Sequence, residues 1–375
     1  MLWQLHYWPR TYIQVGCAAF VISALGMPVL IYLLRRYGVF DRVSEDKIHT
    51  HPVVRGGGIM IFLAFAIAVL WPDYFSNPMK GVILGGFICL VVGAVDDIIG
   101  GVPAVFKLVT LLVVTLVLSR YGVQLKLFKS EALDIVVTLL WIVGVTSAFN
   151  GIDNMDGLAS GVATISSGMY LTIAIQAFLA AGTETSLSWF GMLSSGLVGA
   201  NLGFLVYNFK PAKIFMGDSG SFFLGFMVAA LGVMGEWSTH RIISCTIPVL
   251  ILGVPIFDFG YILIARIVRG ETRTLRAVIE HCGTDHLSHR LTWMGFSQSQ
   301  SVLFIYLLAV ALGVTGLLLR NSVSPVDSML ALMQGGAILA IVVILMSSAT
   351  RRRAASETAM PPAGIPERRG VEGPR

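Results

Sequence analysis

Eleven apolar stretches, near residues 13–34, 56–72, 81–95, 104–119, 132–148, 158–181, 187–207, 219–235, 243–265, 301–319 and 328–347, recur along this 375-residue chain and leave little room between them for polar surface. About 17–25 apolar residues cross a bilayer core as a helix, and a spanning segment must satisfy its backbone internally. Charged residues make up 13% of the chain, against roughly 25% in soluble proteins. A soluble, disordered or collagen-like chain is therefore excluded. The expectation is an all-α, polytopic integral membrane protein with about eleven transmembrane helices, a single domain over 1–348 and a basic, disordered tail over 349–375.

Eleven spans put the termini on opposite sides, so counting Lys and Arg in alternate loops orients the chain. Arg10, Lys80, Arg120, Lys126, Lys129, Arg241 and Arg320 fall on one side, and the remaining 19 of the 26 basic residues fall on the other. The richer side reads as cytoplasmic, with the N-terminus outside and the first span retained as a helix rather than a signal peptide. The net charge of +5 then reflects topology and not nucleic-acid binding. Cys17, Cys89, Cys245 and Cys282 show no paired spacing, so neither disulfide nor zinc is expected.

Five aspartates stand where cytoplasmic loops meet spans: Asp96, Asp97, Asp153, Asp156 and Asp218. Carboxylates at a membrane edge need a counter-charge, and a divalent ion with oxygen ligands, Mg²⁺ or Mn²⁺, supplies it for several at once. Capping of helix ends is the alternative for any one of them. Adjacent Asp96 and Asp97 diverge by about 100° on a helix, so both reach one ion only at a frayed end. Glycine-rich turns at Arg55-Gly-Gly-Gly58, Gly100-Gly101 and Gly217-Asp-Ser-Gly220 would let backbone N–H groups approach an anion. His286 and His289, three apart and beside Arg290, favour phosphate contact over a transition metal, because Arg273 and Arg276 share the loop. Asp258 lies mid-span near a proline that frees a carbonyl, as a functional acid or as a tie between helices.

These segments, in order, carry a resemblance. Lys47-Ile-His-Thr-His-Pro-Val-Val-Arg-Gly-Gly-Gly, Val95-Asp-Asp, Ala148-Phe-Asn-Gly-Ile-Asp-Asn-Met-Asp-Gly, Tyr207-Asn-Phe-Lys-Pro-Ala-Lys-Ile-Phe-Met-Gly-Asp-Ser-Gly-Ser and His286-Leu-Ser-His-Arg-Leu resemble the signatures of polyprenyl-phosphate N-acetylhexosamine-1-phosphate transferases, the WecA- and TagO-like branch more than the MraY enzymes. The resemblance implies transfer of a sugar 1-phosphate from a UDP-N-acetylhexosamine to undecaprenyl phosphate, with release of UMP, at a Mg²⁺ site on the cytoplasmic face of a bacterial inner membrane. It leaves a homodimer open. It implies Asp218 as metal ligand with Asp97, and Asp96 or Asp97 beside the lipid phosphate. Asp156, His286 and His289 join them as catalytic residues. Lys47, His49, Arg55, Lys107, Asn150, Asp153, Asn208 and Arg290 are the implied substrate contacts. Ser288 stands where the family carries a histidine and Leu111 where a glutamine is common, so donor choice is the part least defined. A MraY-type donor and an ion-coupled transporter are the competing readings. The crowding of polar residues at one edge speaks against the transporter.

Overall fold

The structure, a computed structural model, describes residues 2–41, 52–73, 75–181, 188–235, 241–270, 286–322 and 324–359. It is almost entirely helical. The elements are α1 (Leu2–Tyr37), β1 (Phe40–Asp41), β2 (Val53–Arg55), α2 (Gly58–Leu70), α3 (Asn77–Ile99), α4 (Ala104–Arg120), α5 (Glu131–Ile152), α6 (Leu158–Ala181), α7 (Ser188–Asn208), β3 (Ile214–Phe215), α8 (Gly217–Met234), α9 (Arg241–Ile251), α10 (Gly253–Arg269), α11 (Leu287–Trp293), α12 (Gln298–Leu319) and α13 (Pro325–Ala359).

All eleven apolar stretches are helical, but they are not eleven equal spans. Among the described residues eight helices are long and apolar enough to cross a membrane, and a bent pair, α9 with α10, makes a ninth. Helix α2 has 13 residues and α4 has 17. The stretch expected as one span over 243–265 instead turns by 81° at its centre. Pro255 lacks the N–H that would bond Ile251 and its ring crowds that carbonyl, which is sufficient cause for the break. The freed Ile251 carbonyl accepts the Ser166 hydroxyl of α6 at 3.4 Å. Helix α13 also departs from expectation, running to Ala359 where a disordered tail was expected from 349. Its extension, Arg-Arg-Arg-Ala-Ala-Ser-Glu, is made largely of strong helix formers.

Helix α8 is the axis of the fold. Nearly all of its residues are buried, from Ser219 to Val233, and α3, α5, α2 and α6 pack around it. Its N-terminus sits against α3 at Gly93, where a Cβ would lie 2.3 Å from the Asp218 carbonyl oxygen, so only glycine permits this approach. A three-stranded sheet in the order β1-β2-β3 adds a small departure from an all-helical chain. β2 pairs antiparallel with β1 and parallel with β3, in the register Val54↔Ile214 and Arg55↔Phe215. That register carries Arg55 to the start of α8.

Candidate active site

Asp96 and Asp97 leave the last turn of α3 in different directions, as their spacing requires. Asp96 Oδ1 accepts the backbone N–H groups of Gly101 at 2.9 Å and Val102 at 2.6 Å, which folds the α3–α4 turn back onto the helix end. Its Oδ2 meets Lys107 Nζ of α4 at 2.5 Å. Asp97 faces α8: Oδ1 accepts the Asp218 N–H at 2.8 Å and Oδ2 the Ser219 N–H at 3.0 Å. Arg55 Nε meets Asp97 Oδ1 at 2.8 Å. Asp97, expected as a metal ligand, here receives the exposed donors at a helix start, where a carboxylate is also favoured by the helix dipole.

Asp218, one residue into α8, is where the elements converge. Lys107 Nζ lies 3.2 Å from Oδ2, an Arg55 guanidinium nitrogen 3.3 Å from the same oxygen, and Asn150 Nδ2 of α5 donates to Oδ1 at 3.3 Å. The Asp96 and Asp218 carboxyls are joined through Lys107 Nζ, which lies 2.5 Å from one and 3.2 Å from the other. Lys107 therefore bridges two acids and Arg55 bridges Asp97 and Asp218. Arg55 also reaches Asp41 of β1, at 3.8 Å, a partner with no motif in the sequence to announce it. The Arg55, Lys107 and Asp218 side chains keep 29%, 23% and 18% exposure, against 7% for Asp96 and 4% for Asp97, so a ligand would meet the first three most readily. Burial opposes the Arg55 charge, but Asp97, Asp218, Asp41 and Asp153 together hold it above the ordinary arginine value.

Asp153 follows the end of α5, half-buried. Burial pushes its carboxyl up to about 7; Arg55 opposes the shift, while Asp218, Asp97 and Asp41 add to it. A folded-state value above the unfolded one means that ionisation destabilises the fold. That stability is complete below about pH 4 and is lost as pH rises toward 7. Asp153→Asn is thus expected to raise the melting temperature of the purified protein at about pH 8 and to leave it unchanged at about pH 4. The difference amounts to a few kcal/mol at most, at roughly 1.4 kcal/mol per unit. Thermal unfolding of both proteins in one detergent checks it.

The three glycine-rich turns are not free anion cradles. The N–H groups of Gly56 and Gly57 donate to the Phe215 carbonyl and that of Gly58 to the Met216 carbonyl. The Gly101 N–H goes to Asp96 and those of Asp218 and Ser219 go to Asp97. These turns clamp the site together, and the charged side chains are what remains for a ligand.

Other expected contacts have different surroundings. Asn208, expected at the substrate, is buried: Oδ1 accepts from the Gly157 N–H at 3.0 Å and the Ser160 hydroxyl at 3.1 Å, and Nδ2 donates to the Ile214 carbonyl at 3.0 Å. Asp156 accepts the Ala212 N–H at 3.1 Å and so fastens the loop that leads into β3. Arg290, also expected at the substrate, is buried with its guanidinium 5.2 Å from the Tyr261 ring and 5.9 Å from that of Trp293. Its planar cation matches those faces. His286 stands just before α11, its ring against Gly151, and His289 lies within α11. Ser288, the departure from the family histidine, is buried and donates to Asn154 Oδ1 at 2.7 Å, tying α11 to the loop after α5. Lys47 and His49, with Arg273 and Arg276, lie outside the described residues.

A site of converging acids and cations, mounted on the starts and ends of apolar helices, defines a membrane enzyme that handles phosphate. The comparisons agree. Residues 79–236 match the family model described as "Glycosyl transferase family 4". A protein of Bacillus subtilis (strain 168), described as a "Probable undecaprenyl-phosphate N-acetylglucosaminyl 1-phosphate transferase", is 35% identical over 318 residues, 81% of this chain and 85% of its own length. A decaprenyl-phosphate N-acetylglucosaminephosphotransferase of Mycobacterium tuberculosis is 29% identical over 320 residues, 78% of each chain. A phospho-N-acetylmuramoyl-pentapeptide-transferase of Halalkalibacterium halodurans is 30% identical over 245 residues, 58% of this chain and 73% of that one. The chain belongs to glycosyl transferase family 4.

Proposed function

We propose that the protein transfers a sugar 1-phosphate, of the N-acetylhexosamine class, from a UDP-sugar to undecaprenyl phosphate and releases UMP. The observation that carries this is the convergence of Lys107, Arg55 and Asn150 on Asp218, with Lys107 also paired to Asp96. Phosphoryl transfer asks for charge neutralisation on phosphate oxygens and in-line placement more than for covalent help from the protein. Lys107 and the Arg55 fork, both partly exposed, neutralise diphosphate oxygens, and the fork suits two oxygens at once. Asp96 stands beside the acceptor phosphate, which is already an anion and attacks directly. Asn150 orients Asp218.

The donor set fits Mg²⁺, with Mn²⁺ as substitute. Among the described residues no group of three or more acidic, His or Cys side chains forms a closed cage. Asp218 offers hard oxygens to such an ion, and Mg²⁺ is commonly held by one or two carboxylates plus substrate phosphates. When bound there it supplies further positive charge at the diphosphate.

The same reading puts the site on the cytoplasmic face of a bacterial inner membrane. The longer match to the two N-acetylglucosamine relatives favours a UDP-N-acetylhexosamine over a UDP-muramoyl-pentapeptide. The test is UMP release by purified protein with Mg²⁺ and undecaprenyl phosphate, each donor in parallel. Release with UDP-GlcNAc or a related amino sugar is expected. Release with the muramoyl donor alone would move the chain to the other branch, and silence with every donor would refute the reading.

A further inference from the structure

Asp258 belongs to α10 and is 2% exposed. A carboxylate buried that deeply needs strong donors. It has two: Oδ1 accepts the Leu287 N–H at 2.7 Å, and Oδ2 lies 2.7 Å from His286 Nδ1. The extended backbone of His286, with φ −63° and ψ 155°, turns the first N–H of α11 and the imidazole toward the same carboxylate. A structural tie between α10 and α11 needs only the Leu287 bond. The second oxygen addresses the ring.

The other edge of that ring lies against Gly151, at the end of α5. His286 Cε1 would lie 2.9 Å from a Cβ at Gly151, so the ring occupies the space a side chain there would fill. Gly151 adjoins Asn150, which donates to Asp218. Nε2 has no hydrogen-bond partner among the described residues. Because Nδ1 faces a carboxylate it carries the hydrogen, and the neutral ring then has its lone pair on Nε2.

We propose that Asp258 is a positioning residue: it fixes the tautomer and orientation of His286 so that Nε2 is presented, as an acceptor, to a substrate bound beside Asp218. The role in turnover rests on the transferase reading; the pairing does not.

Asp258→Asn separates the two jobs. The amide oxygen still accepts the Leu287 N–H, while the NH₂ group opposite Nδ1 forces the ring hydrogen onto Nε2. The first measurement is ¹⁵N NMR of full-length protein with labelled histidine, in lipid bilayers at about pH 8, the His286 signals identified by their loss in His286→Gln. The expected result is hydrogen on Nδ1 in the wild type and on Nε2 in Asp258→Asn. A wild-type ring with hydrogen on Nε2, or the same tautomer in both proteins, overturns the proposal. The second is UMP release. Asp258→Asn is expected to lower kcat by about 10²–10⁴-fold, as inverted tautomers and lost orienting carboxylates do elsewhere, with the KM for the UDP-sugar little changed. Added to His286→Gln it should cost nothing more. A multiplied loss in the double variant would mean that Asp258 acts other than through His286. Absence of UMP release from the wild type, with the tautomers as stated, would count against the transferase reading and leave the pairing intact.

Discussion

Asp218→Asn is expected to lower UMP release by about a thousandfold or more, the scale on which single charged groups act in phosphoryl and acyl transfer. The variant should insert and unfold like the parent. Asn keeps the shape, and it keeps one oxygen to accept from Asn150, Lys107 or Arg55, but it removes the charge on which those cations converge. The outcome is measured as turnover at saturating Mg²⁺, with thermal unfolding alongside. Turnover within about tenfold of the parent would remove Asp218 from the centre of the chemistry.

Arg55→Ala should affect both turnover and stability. Arg55 joins Asp97, which caps α8, to Asp218, and reaches Asp41 as well. Without it these acids face one another uncompensated. Removing one partner of a well-buried ion pair costs about 3–5 kcal/mol, and the partial exposure of this site puts the expectation at the lower end or below. Turnover should fall by about 10³–10⁵, as when an arginine is lost from a phosphoryl-transfer site. Arg55→Lys should restore much of the stability and little of the turnover, because an ammonium cannot bridge two carboxylates as the guanidinium does. Equal recovery of both would show that only charge matters at this position.

Much of this was legible beforehand because it depends on local pattern. Apolar runs of spanning length became helices at every expected position, and the divergence of Asp96 from Asp97 followed from helical geometry alone. What escaped depends on which elements meet. The bend between α9 and α10 was foreshadowed by its proline, but the meeting of Asp258 with His286, 28 residues away, was not. The glycine turns read as anion cradles because their N–H groups looked free; the approach of β2 to β3 and of α3 to α8 supplies partners for them. Asp97 receives the N–H groups that start α8, a helix far along the chain, and nothing adjacent in sequence distinguished it from Asp96. Asn208 and Arg290 carry polar groups that any reader would assign to a substrate; the fold surrounds the first with buried backbone and the second with aromatic faces, which no local pattern announces.

The enclosure of α8 has a consequence for how the enzyme sits in lipid. A membrane of different thickness acts on helices that touch it, by tilting them or by being locally deformed. Helix α8 presents almost no surface to lipid, being wrapped by α2, α3, α5 and α6. The outer helices absorb the mismatch: the height of Asp218 is set by protein packing, whereas Lys107 rides on α4, whose Val105, Phe106 and Val109 face outward, so a change of bilayer thickness reaches the site through Lys107 rather than through Asp218.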